Sequence, residues 1–341
     1  MSYGLFLAHI LSALLSAWLA IRLVARHFPI REVLLAPLFS VTSRELLHYG
    51  LPIMPSNVTK FLVSELPVMT LNQLLPGAAG ATASAYYSIA RRLSSILQSV
   101  RMTFEYVIAP MASEKDDNGD RHLLQEMFAF ATRLSFVFAI LIFTTLVVAR
   151  NDILAALRPD FIAASTTIVI LCFGRVVEAS TGPASAIIEM LAHRMLPVVN
   201  ALIGLTAQIA ISLWLIPQYG VTGAAIAAAT GLNITAFLSA LQSWRLFDIK
   251  PFSVEILRPM TIAVLLSGAF LTANEYLISL PPPFTLVIAI AFLIFSSIIL
   301  VRFGFRADDA AALGPLGKLA RPKARHRIKA LKAAQKTGRN A

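Results

Sequence analysis

FVFAILIFTTLVV, residues 136–148, is apolar on every side of a helix, and residues 286–300 form a second run of the same kind. Neither run alternates apolar and polar residues as a membrane barrel strand does. Inside a bilayer the backbone must satisfy its own hydrogen bonds, and a single uninterrupted apolar run does this only as an α-helix. The sequence therefore predicts an all-α integral membrane protein.

The composition agrees with this prediction. Hydrophobic residues make up 57% of the chain, charged residues only 14%, and the mean hydropathy is +0.74. That leaves too little polar surface for a water-soluble globule. A spanning helix needs about 20 apolar residues. We expect about nine such helices, near residues 3–24, 47–74, 83–111, 124–149, 161–192, 195–216, 221–246, 258–279 and 284–302.

Basic residues set the expected orientation, because Lys and Arg accumulate in cytoplasmic loops. Four arginines lie between positions 22 and 44, and eleven Lys or Arg lie between Arg302 and Arg339. The loops at residues 76–82, 217–220 and 279–284 carry none. We therefore expect a cytoplasmic C-terminus and an N-terminus outside. With an odd number of helices and no basic residue ahead of the first, we also expect that helices are missing upstream.

The C-terminal segment is strongly basic, with nine Lys or Arg between Lys318 and Arg339. Next to a final span, such a segment gains about 1 kcal/mol per charge against anionic headgroups. We expect anionic membrane lipids as its partner, and a solvated tail that only anchors the topology is the alternative. Nucleic acid is not an expected partner, because no RNA- or DNA-binding module accompanies the charges.

Prolines and glycines predict breaks in two spans. Pro52, Pro55 and Pro67 lie in the second predicted span, and Gly182 and Pro183 in the fifth. Each proline removes a backbone donor and clashes with the preceding turn, so bent or locally opened helices are expected. Transporters use such breaks as hinges and binding points. A harmless kink is the alternative.

Small residues recur every four positions at Gly223, Ala227 and Gly231. This spacing allows two helix backbones to approach closely.

Residues 215–227, LIPQYGVTGAAIA, resemble a signature of the multidrug/oligosaccharidyl-lipid/polysaccharide (MOP) exporter superfamily, especially of its polysaccharide and O-antigen flippases. YYSIARRL at residues 86–93 and IAPMA at residues 108–112 are similar to that family too, as is the short turn around His193. The resemblance covers about residues 44–302.

The resemblance implies a fold of two six-helix halves that face each other across a cavity, often followed by two further helices. Residues 1–24 would then be the last helix of a missing first half, and residues 25–46 a cytoplasmic amphipathic linker. Residues 47–246 would be a complete six-helix half, residues 247–302 the additional pair, and residues 303–341 a basic cytoplasmic tail.

The same resemblance implies a function in polysaccharide biosynthesis or export. Members of this type flip polyprenyl-pyrophosphate-linked oligosaccharides across the bacterial cytoplasmic (inner) membrane by alternating access. The expected partners are the lipid-linked oligosaccharide and other polysaccharide-assembly proteins.

Ionisable residues within the predicted spans are the candidate site, since a charge at mid-bilayer costs at least about 2.5–3.5 kcal/mol unless it meets water, a partner or a ligand. They are Lys60 and Glu65 in the second span, Arg91 and Arg92 in the third, Arg133 in the fourth, and Arg175 and Glu178 in the fifth. We expect the six residues of this set other than Arg133 to line a cavity. Arg133 is near enough to the cytoplasmic face to snorkel.

The spacing of these residues suggests their roles. Arg175 and Glu178 are three apart, which favours an ion pair that either is structural or changes partners when a polyanion arrives. Arg91 and Arg92 point about 100° apart, so at most one faces a cavity as a diphosphate contact. The alternative for these arginines is a structural tie to backbone carbonyls or to Glu65. Lys60 and Glu65, five apart, are not an ideal helical pair.

Several chemistries have no motif in the chain. There is no P-loop for ATP, no His-Glu-x-x-His metal motif and no Gly-x-Ser-x-Gly nucleophile elbow, and the six histidines are scattered. We therefore expect no metal, no cofactor and no enzymatic activity. Glu105 and Glu189 lie near predicted cytoplasmic ends, where ordinary hydration is expected rather than proton coupling.

Three other functions stay open. A drug/cation antiporter of the same superfamily would need acidic rather than basic residues in its spans. A membrane-embedded polysaccharide polymerase or ligase would need a sizeable external loop, and the longest one predicted is only that around residues 150–160. A non-functional truncated flippase is the third.

Overall fold

The computed structural model describes residues 2–25, 54–117, 121–193, 195–250, 254–277 and 282–305. The chain divides into two units after Met54, and helix α1, Ser2–Ala25, belongs to the first. The second unit starts at Pro55 and contains everything discussed below. The predicted linker beyond residue 25, Pro52 and the basic tail beyond residue 305 lie outside the described residues.

The second unit is built from helices, and no strand occurs in the described ranges, which confirms the all-α prediction. Its helices are α2 (Met54–Leu74), α3 (Ala78–Asp117), α4 (Arg121–Leu157), α5 (Ser165–Ser180), α6 (Ala184–Leu191), α7 (Met195–Tyr219), α8 (Val221–Phe247), α9 (Leu257–Leu277) and α10 (Pro282–Ile299). Short 3₁₀ turns at Pro159–Ala164 and Val254–Ile256 precede α5 and α9, and a π-helical turn at Leu300–Gly304 follows α10.

Six segments of the described chain are long and apolar enough to cross a membrane. They contain α4, α5, α7, α8, α9 and α10, which match the last six of the nine predicted spans. Neighbouring parts of the protein bury 67% of the apolar stretch of α4, but only 17% and 22% of the apolar stretches of α9 and α10. Helix α4 is therefore central in the bundle, and α9 and α10 are peripheral.

The main apolar core lies where α3, α4, α5 and α8 meet. Leu97 of α3, Leu154 of α4 and Ile168 of α5 are fully or almost fully buried there. A second apolar cluster includes Phe128 of α4 and Ile187 of α6, and a third holds α9 and α10 against α4. Large apolar side chains such as Trp214 and Phe295 remain on the outside, as expected of surfaces that contact lipid.

The predicted break at Gly182 and Pro183 separates α5 from α6. Gly182 has a φ of +62°, a left-handed conformation that glycine adopts without strain. A Cβ at this position would lie 2.0 Å from Oγ1 of Thr132 on α4, so close packing also requires glycine. The break lies four residues after Glu178, and it directs α6 toward the region that α3 lines.

Two further prolines of the predicted breaks, Pro55 and Pro67, both lie within α2. Pro55 is the second residue of α2, in the first turn, where the missing N–H costs nothing. Helix α2 continues through Pro67 as far as Leu74. Pro67 is thus accommodated within the helix, and the part of the predicted span that precedes Met54 lies outside the described residues.

Helices α7 and α8 form a tight hairpin around Gly220. Its φ of +53° and ψ of −125° suit glycine alone. Beyond the turn, a Cβ at Gly231 would lie 2.8 Å from the carbonyl oxygen of Gly204, so the two backbones are in direct contact. This is the close approach that the small residues of α8 predict.

Candidate functional site

A cavity of about 680 Å³ opens between α2, α3, α5, α6, α7 and α8. Its polar and charged lining residues are Lys60, Ser64, Tyr87, Arg91, Ser94, Gln98, Arg101, Glu105, Tyr106, Arg175, Glu178, Ser185, Glu189 and Thr235. Four of these are cations and three are carboxylates, in a bundle whose outer surface is apolar.

One face of α3 supplies much of this lining. Tyr87, Arg91, Ser94, Gln98, Arg101 and Glu105 all face the cavity. They are spaced three or four residues apart, which places them along one side of a helix. This stripe explains why α3, although long, is not among the segments apolar enough to span by composition alone.

The most buried charges of the cavity lining form a network from α3 to α5. Arg101 donates from Nη1 to Oε1 of Glu105 at 2.7 Å, and from Nη2 to Oε1 of Glu178 at 2.6 Å. Nη1 of Arg175 donates to Oε2 of Glu178 at 2.8 Å. The hydroxyl of Ser185, on α6, donates to Glu105 at 3.3 Å and accepts from Arg101 at 3.2 Å. Carboxylates and guanidinium groups thus alternate along one network.

Burial makes this network expensive to disturb. The side chains of Arg101 and Glu178 are only 9% and 4% exposed. A charge in such a place needs partners, and removing one partner leaves the other unpaired. The ion pair of Arg175 with Glu178 agrees with the sequence prediction, whereas the additional partner of Glu178 was not predicted.

Arg91 bridges α3 to α2. Its Nη1 donates to the carbonyl oxygen of Ser64 at 2.5 Å, to the Ser64 hydroxyl at 3.1 Å and to Oε1 of Glu65 at 3.0 Å. All three contacts use the same nitrogen, and the side chain is 30% exposed to the cavity. Both structural ties that the sequence left open, to a backbone carbonyl and to Glu65, are therefore present.

Lys60 pairs with α6 rather than with its own helix. Its Nζ lies 2.5 Å from Oε1 of Glu189, 129 residues away in the chain. Glu65 pairs with Arg91 and is not itself part of the cavity lining. Gln208 of α7 adds a further polar link to α2, by donating to the carbonyl oxygen of Val63.

Two arginines lie elsewhere than the cavity. Arg92 is exposed and is absent from the lining, because it follows Arg91 by one residue and points about 100° away. Arg92 therefore does not line the cavity, although the sequence analysis included it among the cavity candidates. Arg133 does not snorkel: its side chain is 7% exposed and donates to Glu255 in the turn before α9 at 2.8 Å.

The sequence prediction did not include Arg101, and it left Glu105 and Glu189 out of the candidate site as hydrated residues near helix ends. All three line the cavity and are ion-paired. The signal was present in the sequence. Arg101 and Glu105 are four apart, and they continue the polar stripe that starts at Tyr87 and Arg91.

The arrangement leaves guanidinium donors available. In the described part of the chain, Arg91 and Arg175 each donate to their protein partners through Nη1 alone, so Nε and Nη2 remain for another acceptor. A planar fork of this kind matches a phosphate. Within the same ranges, no group of three or more His, Cys, Asp or Glu side chains is arranged to hold a metal ion.

Protein-family models and curated proteins give no match to this chain. A similar solved structure is that of the lipid II flippase MurJ in an inward closed conformation. The TM-score is 0.55 at 16% sequence identity, over 77% of this chain and 56% of the MurJ chain. The chain thus spans little more than half the length of that neighbour.

At this identity the likeness shows a shared fold. The six apolar segments and this shared fold together indicate a multi-pass membrane protein.

Proposed function

We propose that this protein takes part in flipping a lipid-linked saccharide across the bacterial cytoplasmic membrane, with its C-terminus on the cytoplasmic side. The substrate class we favour is a polyprenyl-pyrophosphate-linked oligosaccharide used in polysaccharide biosynthesis. Translocation needs no covalent chemistry, so no enzymatic activity and no cofactor form part of the proposal. Since the chain spans only part of the length of MurJ, activity of this chain by itself is also part of the proposal.

One observation carries the proposal: a charged cavity with available guanidinium donors lies inside a fold shared with a protein named as a lipid II flippase. In the proposed mechanism the pyrophosphate contacts Arg91 and Arg175, and the polyprenyl tail stays in lipid. A charge-assisted hydrogen bond to a phosphate oxygen is short and roughly twice as strong as a neutral one.

Binding of the anion would also loosen α2. Arg91 holds Ser64 and Glu65 of α2, and a phosphate competes for the same guanidinium. A ligand shifts a conformational equilibrium only through such differential contacts. Competition at Arg91 is therefore the step that would favour rocking between inward and outward openings.

The drug/cation antiporter is the second candidate, because three carboxylates line the same cavity. Each of them is paired with a cation of the protein, so none is free to receive a cationic drug. This pairing favours the anionic substrate.

The test uses the full chain in proteoliposomes that contain a polyprenyl-pyrophosphate disaccharide with a fluorophore on the sugar. Dithionite destroys the fluorophore of outer-leaflet lipid only, so the rate of quenching beyond the initial phase reports translocation. Losing a charge-assisted hydrogen bond costs about 1.5–3 kcal/mol. We therefore expect Arg91→Ala to slow translocation about 10- to 100-fold.

Arg92→Ala is the matched control. It removes the same charge one residue away, outside the cavity, and should leave the rate within about twofold, as a surface substitution does. Equal slowing by both variants would remove Arg91 from the mechanism. Protein-dependent uptake of ethidium without lipid translocation would favour the antiporter, and lengthening of the saccharide would favour the polymerase. A folded protein with none of these activities would support the non-functional alternative.

A further inference from the structure

The buried network between α3, α5 and α6 has a property that the proposed function does not use. It contains the carboxylates of Glu105 and Glu178 and the guanidinium groups of Arg101 and Arg175, in alternating order. The charges of these four groups sum to zero. Any anion that approaches Arg175 therefore makes a buried, neutral cluster negative.

We propose that anion binding at Arg175 is coupled to the uptake of one proton by Glu105. This inference rests on the proposed function, because it assumes that the cavity receives a phosphate-bearing ligand. The proton is given up by hydronium or protonated buffer in the bulk solution and reaches a carboxylate oxygen of Glu105 through water in the cavity. One bond to hydrogen breaks in that donor and one O–H bond forms on Glu105, which restores the neutrality of the cluster.

Glu178 is held where it is by both of its oxygens. Oε1 accepts from Arg101 and Oε2 accepts from Arg175, and the side chain is 4% exposed. An anion on Arg175 weakens the second contact, and Glu178 then depends on Arg101 alone. Because a buried carboxylate cannot stay unpaired, Arg101 is drawn toward Glu178.

Glu105 lies at the other end of the network. Its contact with Arg101 weakens as the contact between Arg101 and Glu178 strengthens. It shares Arg101 with Glu178, and only its Oε1 has a described protein partner, in Arg101 and Ser185. Its side chain is 19% exposed and lines the cavity, so water reaches it more readily than it reaches Glu178. Glu105 is therefore the member of the network that takes up the proton.

The other charged groups near Glu105 reinforce this assignment. Arg101 on its own helix is its only direct cationic partner in the described residues. Glu178 on α5 and Glu189 on α6 both act on it as negative charges. Lys60 of α2 is committed to Glu189 and is unavailable to replace Arg101. A weakened contact with Arg101 therefore leaves Glu105 surrounded by negative charge, which favours its neutral form.

The coupling has a thermodynamic consequence. If binding takes up one proton, the apparent affinity for the anion falls about tenfold for each unit of rising pH, in the range where Glu105 is ionised in the free protein and protonated in the complex. By reciprocity, a proton on Glu105 raises anion affinity by the same factor. Translocation of the lipid would then depend on the proton gradient.

The experiment measures protons and anion together. Full-length protein in detergent is titrated with farnesyl-pyrophosphoryl-glucose, a pyrophosphate diester whose acidic groups stay ionised throughout the physiological range. Calorimetry in buffers of different ionisation enthalpy gives the number of protons taken up per bound anion. We expect about one for the wild type and close to zero for Glu105→Gln, which keeps the shape and one acceptor oxygen.

Glu275→Gln is the control, because it neutralises an exposed carboxylate on α9 that lies outside the cavity lining. It should keep the proton uptake of the wild type. Uptake that persists in Glu105→Gln, or that disappears equally in Glu275→Gln, would overturn the assignment. Infrared difference spectra of the wild type provide a second measurement that needs no variant: anion binding should produce a carboxylic acid C=O band, and its absence would overturn the coupling.

The outcomes separate this inference from the proposed function. Anion binding without proton uptake would refute the proton coupling alone. Anion binding with proton uptake, but without translocation in proteoliposomes, would refute the flippase function alone. Absence of anion binding by the folded protein would refute both.

Discussion

Replacing Gly182 with alanine tests the claim that the break between α5 and α6 is built by backbone conformation and close packing together. Gly182 has a φ of +62°, and an added Cβ would lie 2.0 Å from Oγ1, 2.9 Å from Cβ and 3.2 Å from Cγ2 of Thr132. A left-handed alanine costs about 1–2 kcal/mol. Overpacking adds about 1–3 kcal/mol. The expected loss in the free energy of unfolding is therefore about 2–5 kcal/mol.

Gly77 supplies a matched control for the backbone part. It also has a positive φ, +58°, but an added Cβ would meet nothing within 4 Å. Gly77→Ala should therefore lose only the conformational share, about 1–2 kcal/mol. The difference between the two variants measures the steric share alone.

The single cysteine provides the assay. Cys172 lies on α5 and is completely buried, so a fluorogenic maleimide reacts with it only when the bundle opens. Unfolding in SDS, followed by labelling of Cys172, gives the relative stabilities of the wild type and both variants. Adding Thr132→Ala to Gly182→Ala removes the 2.0 Å and 3.2 Å contacts and should recover part of the steric loss. Equal destabilisation by Gly182→Ala and Gly77→Ala would refute the packing argument.

Four further predictions follow from the site and the bundle. Arg91→Ala should slow lipid translocation about 10- to 100-fold while Arg92→Ala leaves the rate nearly unchanged, as measured in proteoliposomes. Glu105→Gln should abolish proton uptake on anion binding, and Glu275→Gln, on the exposed surface of α9, should preserve it, as calorimetry would show. Arg101→Met should cost about 3–5 kcal/mol of unfolding free energy, because it leaves Glu105 and Glu178 without their shared partner; a loss below about 1 kcal/mol in the SDS assay would contradict the network. Gly204→Ala should cost about 1–3 kcal/mol, since its Cβ would lie 2.7 Å from the carbonyl oxygen of Gly231, whereas Gly268→Ala on the open face of α9 should be neutral or stabilising; the reverse order would refute the α7–α8 packing.

The helices themselves could be predicted from the sequence, because apolar runs in lipid have only one way to satisfy their backbone. The last six predicted spans match the apolar segments of the structure. Local spacing was equally informative. The Arg175–Glu178 ion pair and the break at Gly182 and Pro183 both depend on residues within one turn of each other, whose geometry a helix fixes.

The orientation of each helix about its own axis could not be predicted in this way. Adjacent arginines on α3 point about 100° apart, but only packing against α2 decides that Arg91 and not Arg92 faces the cavity. The partner of Lys60 is 129 residues away on α6, and local spacing gives no information about it.

The sequence by itself determined an all-helical membrane protein, its close helix pair and its in-helix charge pair, because these depend on solvent and on local geometry. Tertiary structure alone decided that Glu178 is shared between Arg101 and Arg175, and that Glu105 completes the network. A charge in an apolar bundle takes whichever partner the neighbouring helices bring within reach, and that choice is made by packing.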